Sequence, residues 1–188
     1  MSFLELFILA VALSMDAFAV AICKGLATKK VRIKHMAICG AWFGVFQALM
    51  PLIGYFLGSL FRDYIVAVDH WIAFVLLAII GVNMIKEAFE CCCEQANDSF
   101  AFGTMLTMAV ATSIDALAAG ISLAMSDADI WLSVVLIGVI TFTLSALGVK
   151  VGNVFGSRYQ KPAQLVGGIA LVVMGFKILL EHLGIIAL

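Results

Sequence analysis

Six long apolar runs, at about residues 3–26, 36–60, 64–85, 100–125, 130–152 and 163–188, account for most of this chain. A helix that crosses a bilayer takes about 20 mostly apolar residues, and each run supplies at least that many. Composition agrees: 64% of the 188 residues are hydrophobic, 12% are charged, and the mean hydropathy is +1.16. Soluble domains carry about 25% charged residues. Eleven basic and twelve acidic side chains cannot cover a water-soluble globule of this length. The chain therefore reads as an all-α integral membrane protein with six transmembrane helices and the lipid bilayer as its solvent. A net charge of −1 supplies no broad basic face, which excludes nucleic acid as a partner.

Glu5 stands where a secretory leader carries basic residues, and Asp16 interrupts the apolar stretch, so the first run is expected to persist as a helix. The connections are too short for a soluble domain, leaving one membrane domain over 1–188. Lys29, Lys30, Arg32, Lys34, Lys86, Arg158 and Lys161 fall in the connections after the first, third and fifth runs, whereas the opposite connections and both tails hold only Arg62. By the positive-inside rule the first set is cytoplasmic and both termini are external.

The chain also repeats itself. A shift of 99 residues lays Leu13-Ser14-Met15-Asp16-Ala17-Phe18-Ala19 over Thr112-Ser113-Ile114-Asp115-Ala116-Leu117-Ala118, with Ser-x-Asp-Ala-x-Ala in common. A shift of 98 aligns Ala48-Leu49 with Ala146-Leu147, and Gly54-x-x-x-Gly58 with Gly152-x-x-x-Gly156; a shift of 94 brings Gly81 onto Gly175 and Glu87 onto Glu181. Two halves follow, about 1–90 and 100–188, joined by a cytoplasmic loop at about 86–99. Each holds three spans, and an odd number forces the second half to enter the membrane from the opposite side. Such inverted repeats recur in secondary transporters, with the substrate site near the midplane at the repeat interface.

Asp16 and Asp115 lie close to half-depth in their runs. A charged Asp at a helix centre costs about 2.5–3.5 kcal/mol on insertion scales. A divalent cation between the two carboxylates offsets that cost for both, and oxygen ligands suit hard ions such as manganese, magnesium or calcium. Ser14, Thr112 and Ser113 offer further oxygens, while Gly25 and Gly120 allow close helix approach. Alternatively, each Asp is protonated and hydrogen-bonded to a neighbouring helix, holding the bundle together.

Other residues admit two readings. Asp69, in Asp69-His70-Trp71, suits an entry or exit ligand or an interfacial Asp-His pair anchored by Trp71. Lys177 suits an i,i+4 pair with Glu181, a side chain snorkelling to the surface, or a counter-charge to an empty Asp pair. The Gly-x-x-x-Gly segments read as repeat-to-repeat packing faces, and Pro51 as a kink. Cys91-Cys92-Cys93 offers soft-metal ligands but lacks the separated pairs of a tetrahedral zinc site; Cys23 and Cys39 read as small packing residues. No nucleotide-binding or zinc-protease motif is present, so the expectation is no enzyme, no resident cofactor and no obligate protein partner, with an ion gradient as the energy source.

Leu-Ser-Met-Asp-Ala-Phe-Ala at 13–19, Lys24-Gly25, Asp69-His70-Trp71-Ile72-Ala73-Phe74 and Ala-Thr-Ser-Ile-Asp-Ala-Leu-Ala at 111–118 resemble the bacterial manganese efflux pump family, within a lysine-exporter-like group of six-helix transporters. The resemblance covers essentially the whole chain. It implies export of manganese(II) from the cytoplasm across the inner membrane, with Asp16, Asp69 and Asp115 on the ion path. The Cys triplet departs from the strongly charged loop of such proteins, and Asn83 replaces the basic residue of some relatives. Two alternatives remain: an exporter of cadmium or of a cationic amino acid, and, more remotely, an intramembrane aspartyl protease with two carboxylates sharing a proton. Neither Asp has the Gly-x-Gly-Asp setting expected of such a protease.

Overall fold

The computed structural model describes residues 3–28, 30–65, 69–89, 100–125 and 129–182, and all its regular elements there are helical. These are α1 (Phe3–Ala27), α2 (Ile33–Ile65), α3 (Asp69–Phe89), α4 (Phe102–Thr112), α5 (Ile114–Met125), α6 (Ile130–Phe155) and α7 (Gln160–His182), with a 3₁₀ turn at Gly156–Tyr159 before the last. Boundaries follow local chemistry where a cap is present. The Asp129 carboxylate accepts from the backbone N–H of Trp131 (2.9 Å) and Leu132 (3.4 Å), satisfying orphan donors at the start of α6. Gly156, at φ 68°, ends the same helix in the left-handed region that only glycine enters without strain.

Among the described residues, three helical stretches are each long and apolar enough to cross a membrane: Phe3–Ala27, Ile33–Leu60 and Ile130–Phe155. The fourth apolar run differs from its expected single helix. It breaks at Ser113 into α4 and α5, bent by 40°, and the pair makes a fourth span if taken together. The cause is local. Thr112 Oγ1 donates back to the carbonyls of Met108 (3.0 Å) and Ala109 (3.3 Å), and Ser113 Oγ donates to that of Ala109. Hydroxyls that bond back one turn compete with the backbone ladder and bend helices. Pro51, in contrast, lies inside a continuous α2.

Helix packing alternates between the two halves of the sequence. The first helix packs on α6 and α7, α2 on α6 and α5, and α3 on α7 and α5. One apolar core joins Leu6, Leu9 and Leu13 of α1 to Leu77, Ala119, Leu123, Ile137 and Leu171; a second joins Ala17 and Ala21 to Cys39, Phe43, Met105, Ala109 and Val149. Glycines make the closest approaches. A Cβ on Gly152 would lie 2.0 Å from the Ile22 carbonyl oxygen, and one on Gly54 2.0 Å from that of Leu117. The Gly-x-x-x-Gly segments thus hold each middle helix against the first helix of the other half.

Candidate functional site

The two Ser-x-Asp-Ala motifs sit in different local structures. In α1 the helix runs through unbroken. Ser14, fully buried, donates to the Ala10 carbonyl at 2.6 Å, and its oxygen lies 2.8 Å from Thr141 Oγ1 on α6. From α2, the buried Gln47 donates its amide N–H to the Leu13 carbonyl at 3.0 Å. Polar side chains of two other helices therefore converge on the turn of α1 that leads into Asp16, which is half-buried. That arrangement is the cheapest way to place polar groups in a bundle facing lipid, because each unsatisfied one costs free energy.

In the second motif the break at Ser113 puts Asp115 in the first turn of α5. Its Oδ1 accepts from the Ala116 backbone N–H at 3.0 Å, and the residue is half-buried. The exposed N–H groups and macrodipole of a helix start favour a carboxylate there. Ser113 is the cap, its N–H bonded to the Val110 carbonyl at 3.1 Å. The break thus sets an acidic group at the start of a half-helix inside an apolar segment.

Gly25 and Gly120 serve close approach. A Cβ on Gly25 would meet the Val149 carbonyl oxygen at 2.0 Å, and one on Gly120 that of Pro51 at 2.2 Å. Next to Gly25 the fully buried Lys24 places its ammonium 5.4 Å from the centre of the Phe100 ring, itself stacked on His35 at 4.7 Å. Asn153 of α6 closes this end of α1, donating to the carbonyls of Thr28 (2.7 Å) and Gly25 (3.3 Å). Residue spacing leaves Lys24 at a helix end; the tertiary structure buries it, with its ammonium against the Phe100 ring.

Among the described residues no group of three or more His, Cys, Asp and Glu side chains is clustered to hold a metal. Asp69 opens α3, but its side chain is outside the described residues, as is Cys91-Cys92-Cys93. The side chain of Glu181, the expected i,i+4 partner of Lys177, lies outside the described residues. The Lys177 ammonium is bonded to Glu5, joining α7 to the start of α1. Cys39 is a buried free thiol, whereas Cys23 is disulfide-bonded, contrary to its expected role as a mere packing residue.

Membrane-length apolar helices, tight glycine crossings and carboxylates inside the apolar segments define a multi-pass helical membrane protein. A family profile described as "Putative manganese efflux pump" matches residues 30–179. A protein of Acetivibrio thermocellus named "Putative manganese efflux pump MntP" is 54% identical over 188 residues, covering 100% of this chain and 95% of that protein. Proteins of the same name from Desulfitobacterium hafniense and Bifidobacterium adolescentis are 58% identical over 181 residues (96% of both chains) and 52% over 183 (96% of this chain, 97% of the relative). The chain belongs to the MntP manganese efflux pump family. No solved structure matches it.

Proposed function

We propose that this chain is a secondary transporter that exports manganese(II) from the cytoplasm across the bacterial inner membrane, binding the ion near mid-depth with the carboxylates of Asp16 and Asp115. Its six spans form two inverted three-helix halves with both termini external. Manganese enters from the names of the relatives. The observation that carries the rest is the reciprocity of packing between the halves. Under the 98-residue shift, the approach of Gly40 to Phe142 becomes that of Gly138 to Gly44, and both are present. Under the 94-residue shift, the approach of Gly81 to Gly168 becomes that of Gly175 to Phe74, which is also present. Helix pairs exchange likewise: α1 on α6 corresponds to α5 on α2, and α1 on α7 to α5 on α3. At 1.5 Å per residue, α3 and α7 reach about 30 Å or more, enough for the hydrocarbon core.

Two carboxylates neutralise one divalent ion, so the loaded site carries no net charge through the apolar interior, and oxygen donors suit manganese. Asp69 is assigned to the same path, at the far end of α3 from the cytoplasmic loop. The test is manganese flux in proteoliposomes. Asp16→Asn and Asp115→Asn should each reduce flux at least tenfold while the purified proteins keep their monodispersity and helicity. Undiminished flux in both variants would overturn the carboxylate site. Competition by excess lysine, but not by cadmium or magnesium, would reassign the substrate.

A further inference from the structure

We infer that Gln47 and Ser145 supply neutral oxygen ligands to the transported cation, completing a site in which carboxylates alone provide too few donors. The inference rests on the transport reading above. Its starting point is a pair of oxygens without partners among the described residues: Gln47 Oε1 and Ser145 Oγ are buried and make no hydrogen bond there, in residues with 0% exposure. A buried polar atom left unsatisfied costs about 1–3 kcal/mol, which a ligand bound there offsets.

Their positions are not independent. Gln47-Ala48-Leu49 and Ser145-Ala146-Leu147 coincide under the 98-residue shift, so both orphan oxygens occupy the same place on the middle helix of each half. Both also face the first motif. The Leu13 carbonyl can only accept, so it orients the Gln47 amide N–H toward α1 and leaves Oε1 at the other end of the amide. Ser145 lies one turn beyond Thr141 on the same face of α6. Because α6 meets α1 first at Ser14 through Thr141 and then at Phe18 and Ala21 through Gly148, Ser145 lies at the depth of Asp16.

The protons in this cluster are already committed. Ser14 gives its hydroxyl hydrogen to the Ala10 carbonyl, so the Ser14–Thr141 contact takes its hydrogen from Thr141, which leaves lone pairs on the threonine oxygen. Lone pairs therefore predominate over donors on this side of the motif, a balance suited to a cation and unsuited to an anion. Amide and hydroxyl oxygens extend a hard divalent ion toward six-fold oxygen coordination without adding negative charge, so release is not opposed by surplus attraction.

The experiment compares wild type, Ser145→Ala, Gln47→Leu and Gln47→Glu as purified full-length chains. Binding of manganese(II) alone is read by the loss of the free-ion electron paramagnetic resonance signal, and flux by proteoliposome uptake. Ser145→Ala is the decisive variant, because it removes no hydrogen bond seen in the structure. Its KM and Kd for manganese(II) should rise about tenfold, in the range that loss of one group beside a metal costs, with maximal flux changed less than twofold. Gln47→Leu should act in the same direction, and Gln47→Glu should slow release, lowering both Kd and maximal flux. Unchanged Kd and KM in Ser145→Ala together with a raised melting temperature would identify a purely structural orphan and overturn the inference while leaving the transport reading intact. Wild-type protein that neither binds nor moves manganese(II) would instead overturn the transport reading, and this one with it.

Discussion

At the scale of single residues, the glycines and the acids obey different constraints. Gly54 and Gly152 are needed for space: a methyl group at either would sit 2.0 Å from a carbonyl oxygen of the facing helix, and backbone cannot give way as a side-chain tip does. Gly152→Ala and Gly54→Ala should each destabilise the protein by about 1–3 kcal/mol, read as a lower melting temperature in detergent, whereas Gly103→Ala, with nothing within 4 Å, should not. In the proposed site Asp16 and Asp115 act through their charge, so their Asn variants should fold and fail to transport. Both acids stand out in the sequence as candidates because an acid inside an apolar run is rare and this one occurs twice. Gln47, Thr141 and Ser145 do not, since an uncharged polar residue in a membrane helix is common, and its significance lies in what it touches. The 98-residue alignment stopped one position short of Gln47 and Ser145, whose side chains differ.

At the scale of elements, among the described residues each of five apolar runs contributes one principal helix and the fourth contributes two. The halves differ immediately before the motif: Leu13 precedes Ser14 where Thr112 precedes Ser113. In α1 only Ser14 bonds back, and Thr141 supports its oxygen from α6; at the other motif Thr112 and Ser113 both bond back, and the helix yields there. Thr112 and Ser113 were visible in the sequence as candidate oxygens, but the bend arises from their sum. Fastening between elements is similarly a matter of pairs. Glu5 and Lys177 join the start of α1 to the last part of α7. Glu5→Gln and Lys177→Gln should each lower stability, and the double variant should cost less than their sum, with a coupling of about 1 kcal/mol or less given the partial exposure of both groups. A coupling of zero in a thermal or chemical melt would remove the pair from the account of α1–α7 packing.

At the scale of the whole molecule, seven basic residues in one set of connections against one in the other carry the proposed orientation. In that orientation the connection after residue 128 is external, so alkaline phosphatase fused there should be active, while fusions after residues 31 and 98 should be inactive. The reverse pattern would invert the direction in which the transporter faces. Reciprocal glycine contacts give the proposed inverted topology its mechanical content. Two similar halves that pack on each other's helices have two nearly equivalent ways to rock, which is how inverted repeats open alternately to each side around a fixed site.

Hydropathy determined, from sequence alone, a helical membrane chain, while the duplicated Asp and the distribution of Lys and Arg carry the proposed two halves and their orientation. Each is a property of a residue and its immediate run, and lipid as solvent imposes it on every segment separately. Which polar atoms meet was decided by the tertiary structure: Lys177 on Glu5, Lys24 under Phe100, Thr141 on Ser14, and, among the described residues, two oxygens on α2 and α6 left without a partner. Satisfaction of a buried polar group depends on distances between helices more than a hundred residues apart in sequence, and local spacing carries no measure of those distances.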